Sequence, residues 1–391
     1  MVGPLDYFDQ LGKLVDQRWT SAGRTAVLLP EIAAGALCEV PVPDTLTTGS
    51  ILSLLARGDQ LPRQREASDE FGQPPTVMFR GDGLEIQAIT WMEGTTSIHQ
   101  HGFDGAFRVL CGSSLHVPYR FVSGETLAEG HLLAGELVME HPEILWPGDV
   151  RAIVAGHDFI HALFHLERPS VTVVVRNSWS ELPYPQYDYR LPGVGIDALS
   201  VDDRFAMRMR GLRSLHRLDK TTALDVALDV VASQDLWTGF RVCDDWARGF
   251  GDPSGLSALI ERLGRRDSAL RPLLEPMFAE DLRRGRLLAR RGLLRASHHR
   301  LLLALIVNLP DRKSIHSAIR QIYPEADPDQ LIFGWVRELA SPEFRGVSGL
   351  HLSEEALAHL PHRSTDGSDG DHLENLAASW KPPPLLEKLF A

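Results

Sequence analysis

The stretch Ser97-Ile98-His99-Gln100-His101 decides the expected fold and site of this chain, and residues 157–165, HDFIHALFH, repeat its histidine pattern at wider spacing. Side chains two residues apart on a strand point to the same face, so His99 and His101 project together. His157, His161 and His165 likewise share one parity. Because imidazole suits iron, zinc, copper and nickel better than magnesium or calcium, both stretches predict a transition-metal site.

Histidines are concentrated around these stretches, since eight of the 16 in the chain lie between His99 and His165. The alternative is chance composition combined with hydrogen-bonded histidines in a core. On the next predicted strand, His116 faces either the metal cavity or solvent. The remaining histidines of this window are assigned to turns and loops: His131, His141 and His157.

The length and composition bound the class of protein. A chain of 391 residues exceeds the size at which one hydrophobic core usually stops growing, which predicts two domains. Hydrophobic content of 43% and charged content of 24% are ordinary for a soluble globular protein. The net charge of -12 argues against a general affinity for nucleic acid or anionic membranes. We therefore expect small molecules or proteins as partners, with no nucleic acid and no membrane.

Cysteine usage and apolar runs indicate the compartment. Cys38, Cys111 and Cys243 are far apart and odd in number, which fits neither a disulfide framework nor a CxxC zinc site. Residues 1–19 lack the basic start and apolar run of a signal peptide. The longest apolar run, residues 301–307, is too short to span a bilayer. These features predict a cytoplasmic protein.

The central region has the sequence pattern of an all-β domain. Short β-rich segments alternate there with glycine, proline and charged turns, and residues 146–149, WPGD, are typical of a tight turn. About eight strands in roughly a hundred residues predict a sandwich or barrel, and we favour a β jelly roll. The predicted strands are residues 77–79, 84–91, 105–110, 115–122, 132–139, 150–154, 159–166 and 171–175.

Helical periodicity flanks this region on both sides, which predicts an α+β multidomain chain with a β jelly-roll domain followed by an all-α domain. The proline- and glycine-rich segment beyond Asn177 is interpreted as a linker between the domains. The helical domain is a candidate for capping the barrel mouth, for forming a homodimer or for recruiting a carrier protein. The predicted division is a helical segment packing on the barrel at 1–75, a metal-binding domain at 76–190, a helical domain at 200–362, and a flexible linker with a C-terminal docking tail at 363–391.

Two features of the helical domain invite a functional interpretation. Arginines crowd residues 283–300, but leucines interleave at helical spacing, which favours a solvated or interface surface over a nucleic-acid site. His298 and His299 are adjacent, and adjacent residues lie on different faces of a helix, so we expect them to form a poor metal pair.

Residues 94–101, GTTSIHQH, followed by residues 107–112, FRVLCG, resemble the first motif of the cupin superfamily, in which a His-x-His pair precedes a strand ending in glycine. Residues 147–149, PGD, with Gly156 and His161, resemble the second motif, whose histidine completes the metal site. The resemblance covers residues 76–178. It implies a cupin barrel in which His99, His101 and His161 bind the metal.

One departure from the cupin pattern sharpens this expectation. Four-ligand cupins carry a glutamate shortly after the His-x-His pair, where this chain has Gly105 and Ala106. Three neutral histidines without a carboxylate leave positions for a chelating anion and dioxygen. The set is similar to the thiol dioxygenases, the cysteine-dioxygenase branch, which hold Fe(II) with three histidines, and Trp91 stands where their tryptophan precedes Ser-Ile-His-x-His. The resemblance implies a non-haem Fe(II) dioxygenase acting with O2 on a small thiol- or carboxylate-bearing substrate.

Two further residues receive catalytic roles. Arg80 falls where that branch carries the arginine that grips the substrate carboxylate, which the planar guanidinium suits; the alternative is an exposed arginine at a strand end. His165 is assigned to hydrogen-bond a ligand or the substrate, with direct ligation as the alternative. Ala106 stands in place of the crosslinking cysteine, and residues 170–174, SVTVV, replace the Ser-x-His-x-Tyr relay, so no particular substrate is implied.

Three other functions stay open. A 2-oxoglutarate-dependent oxygenase shares the jelly roll, and Arg176 suits its co-substrate arginine, but the chain has His99-Gln100-His101 rather than His-x-Asp, and Asp104 is displaced. A metal-dependent isomerase or lyase would use the same histidines for zinc, nickel or manganese as a Lewis acid. A non-catalytic scaffold would use the barrel only to recognise a ligand.

Overall fold

The computed structural model describes residues 3–58, 60–64, 72–178, 184–200 and 202–344, and these contain twelve strands and eleven α-helices. The strands are β1 (Pro75–Arg80), β2 (Leu84–Trp91), β3 (Ile98–Gln100), β4 (Gly105–Cys111), β5 (Ser114–Leu127), β6 (Leu132–Met139), β7 (Glu143–Leu145), β8 (Val150–Ile153), β9 (Ile160–His165), β10 (Ser170–Asn177), β11 (Tyr187–Arg190) and β12 (Val194–Asp197). The helices are described below with the surfaces that they cover.

The strands pair antiparallel into two sheets. One has five strands in the order β1-β2-β10-β4-β8, and the other has seven in the order β6-β12-β11-β3-β9-β5-β7. Neighbours in these sheets are often distant in sequence, as where β3 pairs with β9. Such crossing connections between two sheets are typical of a jelly roll. The predicted fold class, a β jelly-roll domain followed by an all-α region, is confirmed.

Strand alternation determines which side chains enter the space between the sheets. On β10, Val174 belongs to the interior cluster, whereas Val173 and Val175 pack outward on the N-terminal helices. On β9, Leu163 joins the same interior cluster and Ala162 packs outward on the C-terminal helices. Because successive side chains alternate, residues that share the parity of Val174 or Leu163 point into the barrel.

Three helices cover the outer face of the five-stranded sheet: α1 (Pro4–Ser21), α2 (Leu29–Glu39) and α3 (Thr48–Arg57). Phe8 and Leu37 pack in one buried cluster with Val173 of β10. Gly12 lies at the contact between α1 and β1, where an added Cβ would lie 2.5 Å from the Phe79 ring. Glycine therefore lets the helix approach the strand closely.

The C-terminal helices cover the outer face of the seven-stranded sheet. Phe164 of β9 packs in one cluster with Leu302 and Ile306, while Leu132 and Val194 pack in a second cluster with the earlier helices. The helices are α4 (Asp203–Leu218), α5 (Lys220–Ser233), α6 (Leu236–Gly249), α7 (Pro253–Gly264), α8 (Arg271–Leu288), α9 (Ser297–Asn308), α10 (Arg312–Ile322) and α11 (Pro328–Ala340). None of the helices in the described ranges is long and apolar enough to cross a bilayer.

The segment beyond Asn177 that was interpreted as a linker contains two strands, β11 and β12. β11 pairs with β3, with Asp188 opposite His99, and β12 pairs with β11 and β6. The linker interpretation was wrong for these residues, because Tyr187 and Tyr189 alternate with less buried residues on β11 and are buried in the cluster beneath the C-terminal helices, despite the surrounding prolines and glycines. The predicted linker and docking tail at 363–391, and the end of the 200–362 domain, lie outside the described residues.

Candidate metal centre

The structure brings His99, His101 and His161 together on the inner side of the seven-stranded sheet. β3 and β9 run side by side with His99 opposite His161, and all three side chains are buried. One ring nitrogen from each histidine lies within 4.8 Å of the others. The His-x-His pair and the later histidine thus converge because the two short strands are neighbours, although the 59 residues from His101 to Phe159 lie between the strands along the chain.

Hydrogen bonds on the far side of two rings determine which nitrogen carries the lone pair. His99 Nδ1 lies 3.0 Å from the Ser97 carbonyl oxygen, so that nitrogen is protonated and the lone pair is on Nε2. His161 Nδ1 lies 3.1 Å from His116 Nε2, and His116 Nδ1 lies 2.8 Å from Glu143 Oε1. The acceptor at the end of this chain is a carboxylate, so each ring donates from Nδ1 and His161 also keeps its lone pair on Nε2.

The Nε2 atoms of His101 and His161 lie 3.0 Å apart. Two lone pairs at this separation repel unless a proton or a cation lies between them. Two nitrogens bound at a right angle to one metal, with bonds of about 2.1 Å, are about 3.0 Å apart. The donor set and the spacing of this pair therefore fit a transition metal.

Burial is the main cause that lowers the pKa of each of these three histidines. The neighbouring imidazoles act in the same direction on His101 and His161. The rings are therefore neutral at pH 7, which is the form that binds a metal.

A relay of hydrogen bonds supports His161 from behind. His116 is buried between His161 and Glu143, and Arg151 Nε donates to the same Glu143 oxygen at 2.9 Å. Hydrogen bonds from His116 and then from Arg151 lower the pKa of Glu143 to about 2, so this carboxyl is charged. Such a carboxylate–histidine chain orients a metal ligand and raises its basicity. From the sequence alone, His116 could face either the cavity or solvent. The register between β5 and β9 places it beside His161, and no local sequence pattern indicates that register.

Steric constraints at Gly105 and Ala106 explain why no glutamate can serve as a fourth ligand here. An added Cβ at Gly105 would lie 2.0 Å from the Val175 carbonyl oxygen on β10, so this position cannot carry a side chain without moving the backbone. The side chain of Ala106 belongs to the cluster beneath the N-terminal helices, on the opposite face of β4 from the histidines. Neither residue can present a carboxylate to the three histidines.

Aromatic rings surround the histidines. The ring of Phe103 lies 4.6 Å from His101 and that of Phe159 lies 4.5 Å from His161, measured between centroids. Arg176 shares the inward parity of Val174, is buried, and places its guanidinium carbon 3.6 Å from the centre of the Phe103 ring. After burial and His99, the charge of Arg176 is a further cause that lowers the pKa of His101.

The two residues expected to be catalytic lie apart from the three-histidine cluster. Arg80 is on the edge strand β1 of the opposite sheet, partly exposed, and donates to Glu85 at 2.9 Å. His165 is buried at the end of β9, stacks on Trp91 at 4.6 Å, and its Nδ1 lies 2.9 Å from Ser114 Oγ. The catalytic roles of Arg80 and His165 stay predictions.

Arg176 was considered in the sequence only as a co-substrate residue of another oxygenase class. It lies opposite Glu85 across the β10–β2 pairing, and Arg80 donates to that same buried carboxylate. Two arginines therefore lie beside one carboxylate on the inner side of the five-stranded sheet. Strand parity with Val174 was the signal that could have placed Arg176 in the interior.

Comparison with solved structures finds proteins of low identity that match part of this chain. The chain is similar to a cupin-2 domain containing protein from Shewanella frigidimarina, with 15% identity and a TM-score of 0.20, covering 27% of this chain and 82% of that one. It is also similar to a recombinant oxalate oxidase in complex with glycolate, with 19% identity and a TM-score of 0.19, covering 34% of this chain and 57% of that one. A structure of the DMSP lyases RdDddP and RnDddQII matches with 18% identity and a TM-score of 0.24, covering 40% of this chain and 76% of that one. The chain thus spans little more than half of the oxalate oxidase. No protein-family model and no curated protein matches the sequence.

Proposed function

We propose that the protein is a metal-dependent enzyme of the cupin type, and that it is a non-haem Fe(II) dioxygenase acting on a small anionic substrate. The observation that carries the proposal is the convergence of three buried, neutral imidazoles with His101 Nε2 and His161 Nε2 3.0 Å apart. His99, His101 and His161 would hold the metal. Fe(II) bound there would supply the redox chemistry that activates dioxygen.

The absence of a carboxylate from the described residues of this cluster supports an anionic substrate. Three neutral ligands leave the charge of a divalent metal uncompensated, and Gly105 excludes the glutamate that would offset it. A chelating thiolate or carboxylate would restore the balance in a buried site of low polarity.

The arginines on the opposite sheet would orient that substrate. Arg176 is buried over Phe103, and after burial and His99 its charge is one of the causes that lower the pKa of His101. A guanidinium pairs with a carboxylate in a fixed planar geometry, so Arg176 would position an anionic group across from the histidines. Phe103, Phe107 and Phe159 would exclude water around the reacting atoms.

Metal binding is the first test. Wild type, His99→Ala and His101→Ala would be reconstituted anaerobically with Fe(II) and assayed for bound iron, with exposed His141→Ala as the matched control. We expect stoichiometric iron in wild type and the control and its loss in both barrel variants. Iron that survives in both barrel variants would refute the site.

Oxygen chemistry is the second test. The iron form would be mixed anaerobically with small thiols and carboxylates, and a spectral shift would identify chelating compounds, whose oxygen uptake would then be followed. We expect stoichiometric oxygen consumption, and Arg176→Ala to raise KM more than Arg80→Ala, because only Arg176 is buried and acts on His101. Turnover without oxygen consumption would instead favour the isomerase or lyase.

A further inference from the structure

A second cluster of metal-ligand side chains lies in the helical region, at the contact between the start of α9 and the end of α11. His298 Nε2 lies 2.8 Å from Glu338 Oε2, and His299 Nε2 lies 3.0 Å from the same oxygen. All three ligand atoms lie within 4.8 Å of one another. The proposed function of the barrel does not involve these residues.

The convergence of His298 and His299 contradicts the expectation that adjacent residues form a poor pair. They follow Ser297, the first residue of α9, and their rings lie 4.2 Å apart at an interplanar angle of 67°. In the first helical turn the two side chains reach the same carboxylate from two sides, because α11 packs against α9 there.

The donor set and spacing match those of a transition-metal site. Two histidines and a glutamate form a known zinc set that leaves a fourth position for water. Ligand atoms about 2.0–2.1 Å from a tetrahedral ion lie roughly 3.3 Å apart. The two nitrogen–oxygen distances are a few tenths of an ångström shorter, which a small rotation of the exposed Glu338 side chain would correct.

The three side chains of this cluster differ in exposure. His299 is buried with 3% of its side chain exposed, whereas 36% of His298 and 52% of Glu338 are exposed. The Phe344 ring lies 5.4 Å from that of His299, and the Trp335 ring lies 6.0 Å from that of His298. Among the described residues, the cluster therefore combines one buried and two partly exposed ligand side chains with aromatic neighbours.

We propose that His298, His299 and Glu338 form a second transition-metal site, best suited to Zn²⁺, that fastens the start of α9 to the end of α11. The bound ion would share its charge with one carboxylate and two imidazoles, with water completing the shell. Because α9 and α11 both pack in the cluster that covers the seven-stranded sheet, the ion would stabilise the helices that support β9 from outside.

The test measures Zn²⁺ binding to the full chain in the absence of the barrel site. Metal-free His99→Ala/His101→Ala protein would be titrated with Zn²⁺ in competition with a chromophoric chelator, alone and combined with Glu338→Gln or His298→Ala. We expect one equivalent of Zn²⁺ in the barrel variant and an affinity at least tenfold weaker after either further change. X-ray absorption should show nitrogen and oxygen neighbours with imidazole scattering.

His316→Gln is the matched control, because His316 Nε2 also lies 2.8 Å from a carboxylate, that of Asp329, but has no second histidine in the cluster. It should leave Zn²⁺ binding unchanged. Should the barrel variant not fold, wild type and Glu338→Gln should differ by one equivalent. Absence of binding in the barrel variant, or binding unchanged by both Glu338→Gln and His298→Ala, would show that the cluster is only a hydrogen-bonded pair of histidines on a carboxylate.

Discussion

At the scale of single residues, the third histidine of the proposed metal site depends on a carboxylate that lies outside the three-histidine cluster. Glu143 accepts from His116, which makes His116 Nε2 the acceptor for His161 Nδ1. The relay thereby keeps the lone pair of His161 on the nitrogen that faces His101. Arg151 holds Glu143 in place from the other side.

Replacing Glu143 with glutamine is expected to weaken metal binding at the barrel. The amide can still accept from His116, but it carries no charge, so His161 becomes a less basic and less firmly oriented ligand. We expect the Kd for Fe(II) to rise by about 10- to 100-fold with little change in fold, measured by anaerobic chelator competition and circular dichroism. Glu140→Gln, at an exposed ion pair with Arg120, is the control. An equal Kd in both variants would contradict the relay.

The clustering of His99, His101 and His161 was predictable from the sequence, because the parity of side chains on a strand is a local property and the cupin-like motifs mark these positions. The interior position of Arg176 near His101 and the face to which the His116 side chain points were not predicted. Both depend on which strands become neighbours in the sheets. The pairing of Pro118 with His161, for example, sets the position of His116 beside β9. Register between distant strands is a property of the assembled sheet.

At the scale of elements, the longer β-rich segments between turns were predicted at their observed bounds, as for β2 (Leu84–Trp91) and β6 (Leu132–Met139). β3 and β12 were not, because three or four residues carry too little periodicity. β11 and β12 also lie among prolines and glycines that are typical of loops. Their place in the sheet comes from pairing with β3 and β6.

Glu93, in the loop after β2, joins the barrel to the helical region through three arginines. It contacts Arg168 and Arg291 closely and accepts from Arg300 at 3.1 Å. Arg291 and Arg300 are nearly fully buried, and they donate to the carbonyl oxygens of residues 165 and 166 at 2.8 and 2.7 Å. Burial lowers the pKa of Arg291 to about 10, which still leaves it charged at pH 7.

Replacing Glu93 with glutamine is expected to destabilise the protein strongly. The change leaves buried guanidinium groups without their counter-charge, which costs about 3 kcal/mol, the lower end of the usual range because Glu93 is partly exposed. The free energy of unfolding would be measured by urea titration. Glu261→Gln removes an exposed ion pair with Arg265 and should cost under about 0.5 kcal/mol. Similar losses in both variants would show that the Glu93 cluster does not join the two regions.

At the scale of the whole molecule, the barrel lies between two helical layers. The N-terminal helices bury the outer face of one sheet, and the C-terminal helices bury that of the other. Strands β3 and β9, which carry His99 and His161, belong to the sheet beneath the C-terminal helices. Packing on that layer therefore holds β9, and with it both His161 and His165, in a fixed position.

His165 makes the stability of the molecule depend on pH. Burial, followed by the charges of Arg291 and Arg300, lowers its pKa to about 3, against an ordinary value of 6.5. The unfolded chain binds a proton at this residue below pH 6.5, whereas the folded chain does not until about pH 3. Folding is therefore penalised increasingly as the pH falls through this window, by up to about 1.4 kcal/mol per pH unit.

Replacing His165 with glutamine should remove this dependence. Urea unfolding of metal-free wild type and variant at pH 7.0 and 4.5 would give the loss of stability in each, and we expect wild type to lose about 2 kcal/mol more than the variant. The other buried histidines titrate in both proteins, so their contributions cancel in the difference. His141→Gln, at an exposed position, should lose as much as wild type. Equal losses in wild type and His165→Gln would mean that His165 accepts a proton in the folded protein as readily as in the unfolded chain.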